Sequence, residues 1–495
     1  MRNILFFAFP LIFCNLSLPV SSTQSDQSPL FHAFDRFRSD KALDHASWSF
    51  YVKDVTNDKD ILTFNTDQFL VPASTQKVIT TVSALMLLGH DYQYETHLEY
   101  SGRVDMQGVL HGNLYIKGSG DPAFGSELLN DTLALSNVFH KWTDALHAAG
   151  IRKVNGHIIA DERIFDNEMV PGRWIWQHIG NYFGAGASGL TVHENEYSVY
   201  FDAGSRIGQP ATVVHTYPTI SNLSFINEVT TGPVGSGDQV YIYGAPFVSE
   251  RRLTGTVPLG AKSFAVRGSM PDPPLFAATA LWYFLNNMGV EVTGIPTSYR
   301  NAAADGTIPS ENRTIIDTWT SPLFFDVIYR TNHASVNTYA ENLLKTIGRK
   351  KGGHGSFSDG LKVLADHWDM FGIEPPLTRM VDGSGLSPSN RITTGQLMTV
   401  LDAAASHPSF VMFSQSLPLA GFSGTLANHL RGSRSEGILR AKSGFLNDVL
   451  GYAGYTTMQN GNLAAFVIIV NHYDGNAATM RRKILQLMDS ITLHQ

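Results

Sequence analysis

The chain has 495 residues, 43% of them hydrophobic and 16% charged, with a formal net charge of −7. That length exceeds what one compact core holds, so about two or three domains are expected. The acidic balance, with no block or stripe of Lys and Arg, argues against a nucleic-acid binder.

The first residues, MRNILFFAFPLIFCNLSLPVSSTQS, carry one positive charge at Arg2 and an apolar run from Ile4 to Phe13. The run is too short to span a bilayer and small residues follow at Val20 and Ser22, so residues 1–22 read as a secretory signal peptide. The competing reading is an uncleaved N-terminal anchor. Phe13 ahead of Cys14 fits a lipoprotein cleavage site poorly. Cys14 is also the only cysteine, so the mature chain would have neither disulfides nor thiol chemistry. No later stretch reaches the length of a transmembrane helix. The expected location is outside the cytoplasm, in a periplasm or cell envelope, with at most loose membrane association.

From Trp48 to Val71 the sequence alternates and is broken by TNDKD, which predicts two antiparallel strands and a polar turn. Ser74 then opens a helix to Leu88, closed by Gly89; it is apolar almost all round and therefore buried. From His90 the pattern changes to short strands separated by Gly, Asp and Pro turns, interrupted by a helix at 274–289. Helical patterns resume around 323–348, 357–371 and 393–405. Near the C-terminus, DVLGYAGYTTM and NLAAFVIIV flank Gln459-Asn460-Gly461 and predict a hairpin. The closing helix AATMRRKILQLMDSI carries an apolar stripe of Ile484, Leu487, Met488 and Ile491, expected to pack on that sheet rather than on a membrane.

The predicted organisation is α+β. A catalytic domain is assembled from both chain ends (23–89 and 301–495) around a β-rich insert (90–300) that forms one or two further domains. There is no internal repeat and no low-complexity segment.

Three short motifs could carry chemistry. Ser74 and Lys77, in STQK, lie three residues apart at a helix start, where free N–H groups and the positive dipole end favour a developing anion. In a buried helix Lys77 is desolvated, and a neutral amine can take a proton from a hydroxyl. Alone the pair is a weak signal, equally readable as a cap and an ordinary helix lysine. HASVNTYAENLL offers Ser335 and Asn337 ahead of a helix, and in isolation it reads equally well as an N-cap and turn. LRAKSGFLND offers Lys442, Ser443 and Gly444 on a strand, with Gly444 expected to admit a substrate backbone and Lys442 and Ser443 to hold a carboxylate.

The set Ser-x-x-Lys, Ser-x-Asn and Lys-Ser-Gly, in that order and in those contexts, matches the active-serine β-lactamase and penicillin-binding enzymes. The sequence resembles the class C penicillin-binding proteins of the penicillin-binding protein 4 type, D-alanyl-D-alanine carboxypeptidases/endopeptidases. GNLYIKGSGDPAF (112–124), DGSGLSPSNRIT (382–393) and SLPLAGFSGTLANHL (416–430) add to the likeness, which covers nearly all of the chain after residue 22. The resemblance implies a penicillin-binding-protein/serine β-lactamase-like fold with a large insert. It implies that Ser74 is the acylated nucleophile, Lys77 its base, Ser335 a proton relay to the leaving D-alanine, and Asn337 a ligand of the peptide amide. Lys442 and Ser443 would engage the terminal carboxylate. The backbone N–H groups of Ser74 and Phe445 would form an oxyanion hole, worth about 3–4 kcal/mol per donor. A second lysine nearby would help to keep Lys77 neutral. The implied partners are peptidoglycan stem peptides and β-lactams, with no cofactor.

The chain departs from the family pattern in places. Lys-Ser-Gly stands where relatives more often have Lys-Thr-Gly, though the hydroxyl is kept. SVN lacks a middle Asp. Pro388 stands where many relatives carry an Arg that reads the free end of the peptide side chain, which leaves the fitting stem peptide open. A serine β-lactamase would need a dedicated base for deacylation, and AENLLK (340–345) falls short of the Glu-x-x-Leu-Asn pattern. A non-catalytic peptidoglycan-binding protein is the third reading, against which every catalytic position is filled. Metal catalysis is not indicated: HENEY lacks the second His of HExxH, and Asp54, Asp58 and Asp60 read as a polar turn. KGSGDPAF lacks the Gly-Lys-Ser/Thr ending of a phosphate loop.

Overall fold

The computed structural model describes residues 28–128, 134–307, 309–373, 377 and 379–495. The expected signal peptide and Cys14 lie outside them. At the centre is a five-stranded antiparallel sheet in the order Lys59–Phe64, Ser47–Asp54, Leu463–Asn471, Val449–Thr457, Arg440–Leu446. Both chain ends thus meet in one sheet, as expected. Leu463–Asn471 is apolar almost throughout because both its faces are covered. Phe466, Ile468 and Val470 point to one side, with Trp48, Phe50, Ile484, Leu487, Met488 and Ile491. Ala465, Val467 and Ile469 point to the other, with Val78, Val82, Leu85, Leu343 and Leu397.

The closing helix Ala477–Thr492 packs its apolar stripe on the first face beside Pro29–Arg38, a helix the sequence reading did not assign. The second face is covered by Lys77–Leu88, Asn337–Ile347 and Thr394–Ala405. Among the described residues no helix is long and apolar enough to cross a membrane.

The insert has two cores of its own. One lies around a mixed sheet in the order Thr297–Ser298, Ile158–Asp161, Leu114–Lys117, Glu95–Tyr100, Thr314–Thr320, with Leu135–Ala148 and Pro273–Asn287 packed on it. The other lies among Glu196–Asp202, Thr212–Tyr217, Phe264–Ser269 and their neighbours. The expected boundary at 300 needs correcting, because Thr314–Thr320 pairs with Glu95–Tyr100 and carries the insert's sheet past it.

Candidate active site

Ser74 lies in a 3-10 turn, Ala73–Gln76, and the α-helix proper begins at Lys77, three residues later than the predicted start. Its N–H is among the first of the turn, where no acceptor within the helix is available. The turn is gripped from both sides. Asn471 clips Val71 with a donor and an acceptor (Val71 N to Oδ1, 2.8 Å; Nδ2 to Val71 O, 3.1 Å). Ala73 is held at φ +48°, a left-handed conformation that costs a non-glycine residue about 1 kcal/mol or more.

Two glycines make room for this turn. A Cβ on Gly385 would lie 1.9 Å from Ala73 O, and one on Gly444 would lie 2.7 Å from Pro72 O. Gly444 therefore admits the nucleophile's own turn, a role the sequence reading did not give it. The open edge of its strand is available nonetheless. Ala441 N–H points outward to Pro418 O (3.1 Å), and by strand alternation the N–H groups of Ser443 and Phe445 face the same way.

Lys77 Nζ, fully buried, lies 3.0 Å from Ser74 Oγ, 2.6 Å from Asn337 Oδ1 and 2.8 Å from Ser384 O. The Asn337 amide is oriented by its Nδ2, which donates to Phe183 O at 2.7 Å, so Oδ1 faces the lysine. Two of the three neighbours of Nζ can only accept. A neutral amine spends its hydrogens on them and turns its lone pair to the one neighbour that can donate, Ser74 O–H. Burial lowers Lys77 to about 7, against the pull of Glu341 and Asp382.

Lys442 is also fully buried. Its Nζ lies 2.9 Å from Ser335 Oγ and 2.7 Å from Ser443 O, and burial together with the Lys77 charge holds it well below the ordinary lysine range. Ser335 sits at φ +60° between the helices Phe324–His333 and Asn337–Ile347. Ser443 Oγ donates to Thr425 Oγ1 at 2.7 Å. Phe445 is half exposed on the same strand. The structure thus brings all eight predicted residues to one place, six of them in two hydrogen-bonded trios, Ser74–Lys77–Asn337 and Ser335–Lys442–Ser443, with Gly444 and Phe445 next on the strand.

Four contributors were missed. Glu341 and Asp382 are buried beneath Lys77. Glu341 accepts from Gly383 N and Ser384 N, both at 2.9 Å, and so places the carbonyl that Lys77 meets. Asp382 gathers Gly385 N and Ser387 N (2.7 Å), Trp174 Nε1 and Asn390 Nδ2 (2.9 Å) and Gln76 Nε2 (3.0 Å). Burial raises both carboxyls, Asp382 adding to the rise at Glu341. Thr425 and, from the insert, Phe183 complete the walls. Asp382 stood in a quoted motif, DGSGLSPSN, and an Asp ahead of Gly-Ser turns was the signal available. Beyond Pro388, Arg173, Arg379 and Arg391 line a separate cavity of about 390 Å³.

Asp54, Asp58 and Asp60 are taken up by Asn57, Lys53 and Tyr51 respectively, in the manner of a polar turn. Among the described residues no three His, Cys, Asp or Glu side chains are grouped to hold a metal ion.

This arrangement has counterparts. The pattern of the D-Ala-D-Ala carboxypeptidase 3 (S13) family matches residues 30–491. A D-alanyl-D-alanine carboxypeptidase of Actinomadura sp. is 29% identical over 90% of this chain and 81% of its own. D-alanyl-D-alanine carboxypeptidase DacB of Haemophilus influenzae is 25% identical over 88% of each. The crystal structure of penicillin binding protein 4 from Haemophilus influenzae superposes with a TM-score of 0.77 at 22% identity, covering 92% of this chain and 97% of that one, which shows a shared fold. With the match spanning both halves of the catalytic sheet and the whole insert, the chain belongs to the D-Ala-D-Ala carboxypeptidase 3 (S13) family.

Proposed function

We propose that this serine-type D-Ala-D-Ala carboxypeptidase works through an acyl-enzyme on Ser74. Neutral Lys77 takes the Ser74 proton as Oγ attacks the carbonyl between the two D-alanines. The tetrahedral oxyanion is met by the N–H groups of Ser74 and Phe445, in a site where each such donor is worth about 3–4 kcal/mol. Ser335, backed by Lys442, passes a proton to the departing D-alanine nitrogen. Ser443 and Lys442 take the terminal carboxylate, whose arrival favours the charged form of a lysine that burial and the Lys77 charge hold well below its ordinary range. Water then frees the acyl group. Cleavage of a cross-link follows the same steps with a larger leaving group. The substrate, peptidoglycan, lies outside the cytoplasm, and we place the enzyme there, in a periplasm or envelope, with at most loose membrane association.

The observation that carries this reading is the Lys77 amine, buried and aimed at Ser74 by two neighbours that can only accept. The β-lactamase alternative needs a carboxylate free to activate water. Both oxygens of Glu341 are occupied by backbone N–H groups, which favours a long-lived penicillin adduct. The test is intact-mass analysis with penicillin, followed by incubation with a D-Ala-D-Ala pentapeptide. One adduct, lost over minutes or longer, and released D-alanine are expected. An adduct on Ser74→Ala, or no D-alanine from folded enzyme, overturns the reading.

A further inference from the structure

The insert holds a cavity that the chemistry at Ser74 does not use. It has a volume of about 790 Å³, within the range of about 300–1,000 Å³ typical of ligand sites. It lies where the two insert cores meet: Ile220, on its wall, packs against both. One side is the helix Pro273–Asn287 and the other is formed by the loop around 219–222 and the helix Tyr299–Ala304.

Two features of the lining point to one class of ligand. The first is aromatic surface. Trp282 is anchored by its indole N–H to Gly294 O at 2.9 Å, and Tyr283 stands against it edge-on at 5.0 Å, 55% exposed. The second is a set of polar side chains left unengaged. Among the described residues Asn222, Asn301 and Asp305 have no hydrogen-bond partner for their side chains, although all three line the cavity. An apolar ligand would leave these amide and carboxylate groups unpaired at a cost. A peptide would be a weak match to fixed aromatic faces with no charged anchor but Asp305 and Asp272, the latter already paired with Arg300. A sugar polymer fits both features, presenting C–H faces to the rings and hydroxyl and acetamido groups to the Asn and Asp side chains.

We propose that this cavity binds the amino-sugar strand that carries the peptide substrate, so that the insert holds the polymer while Ser74 acts on its side peptide. The inference rests on the reading of the substrate as peptidoglycan. The test uses the full chain and a β-1,4-linked N-acetylglucosamine tetramer as probe, with affinity measured by calorimetry. Wild type binds. Tyr283→Ala and Asn301→Ala each weaken binding about tenfold or more. Acylation of Ser74 by penicillin is unchanged in both, which shows that they fold. In turnover, both variants raise KM for glycan-linked pentapeptide and leave free pentapeptide unaffected. Full acylation by penicillin with no tetramer binding, or binding that neither variant weakens, overturns the sugar site and leaves the peptidase intact. Tetramer binding without D-alanine release would overturn the peptidase reading instead.

Discussion

At the residue scale the decisive group is Lys77. With burial holding it near 7, its neutral fraction grows as pH rises through neutrality. The second-order rate of acylation by penicillin should therefore climb about tenfold per pH unit below ~7 and level off above it. A profile flat from pH 5 to 9 would show that the base lies elsewhere. Lys77→Arg keeps the charge but cannot give up its proton, so acylation should fall by about a hundredfold or more. Thr425 acts at one remove. Ser443 lacks the β-methyl that stiffens a threonine, and its hydroxyl is steered by the 2.7 Å bond to Thr425. Thr425→Val should raise KM for the D-Ala-D-Ala peptide about three- to tenfold, the worth of one hydrogen bond. Adding Ser443→Thr should recover most of it. A KM unchanged by Thr425→Val, or no recovery in the double variant, would reduce Thr425 to a packing residue.

At the scale of elements, the nucleophile turn depends on glycines on either side of it. Gly385→Ala puts a methyl group 1.9 Å from Ala73 O at φ +80°, so the turn must shift. Both thermal stability and acylation should fall, by about 2 kcal/mol or more and at least tenfold. Gly461→Ala is the control: φ is +88°, nothing lies within 4 Å, and only backbone strain of about 1 kcal/mol is expected, with acylation intact. Loss of stability without loss of acylation in Gly385→Ala would show that the turn tolerates the shift. This pinching was not legible beforehand. The hairpin, the buried helix after Lys77 and the three motifs were, because periodicity and turn residues encode them locally. Pro29–Arg38 was equally legible in principle, its Leu30, Ala33, Phe34 and Phe37 lying on one face, but it follows directly on the stretch read as a signal peptide. The pairing of Thr314–Thr320 with Glu95–Tyr100, or the burial of Glu341 and Asp382 under Lys77, follows from tertiary packing that no local pattern records.

At the scale of the whole molecule, the insert reaches the chemistry at Trp174, which donates to Asp382, and along one helix of the catalytic domain. Asn337–Ile347 meets the insert along its length: Asn337 Nδ2 with Phe183 O (2.7 Å), Thr338 Oγ1 with Ala185 O (3.0 Å), Tyr339 O–H with Glu194 (3.2 Å), and Asn342 with Thr191 (3.2 Å). The same helix offers Asn337 Oδ1 to Lys77 and uses Glu341 to hold the loop at Gly383 and Ser384. Lys345 closes the joint. Its buried Nζ donates to Asp166 Oδ1 (2.7 Å) and Glu168 O (2.6 Å) and lies 4.4 Å from the centre of the Phe357 ring. Lys345→Met keeps the stem and removes the charge, stranding Glu168 O and the half-exposed Asp166. Stability should drop by about 1–3 kcal/mol, read by thermal or denaturant unfolding. If the insert only accompanies the catalytic domain, penicillin acylation will be untouched. The shared helix argues otherwise: acylation should slow measurably, about two- to tenfold, because loosening the joint shifts the Asn337 amide that keeps Lys77 aimed at Ser74.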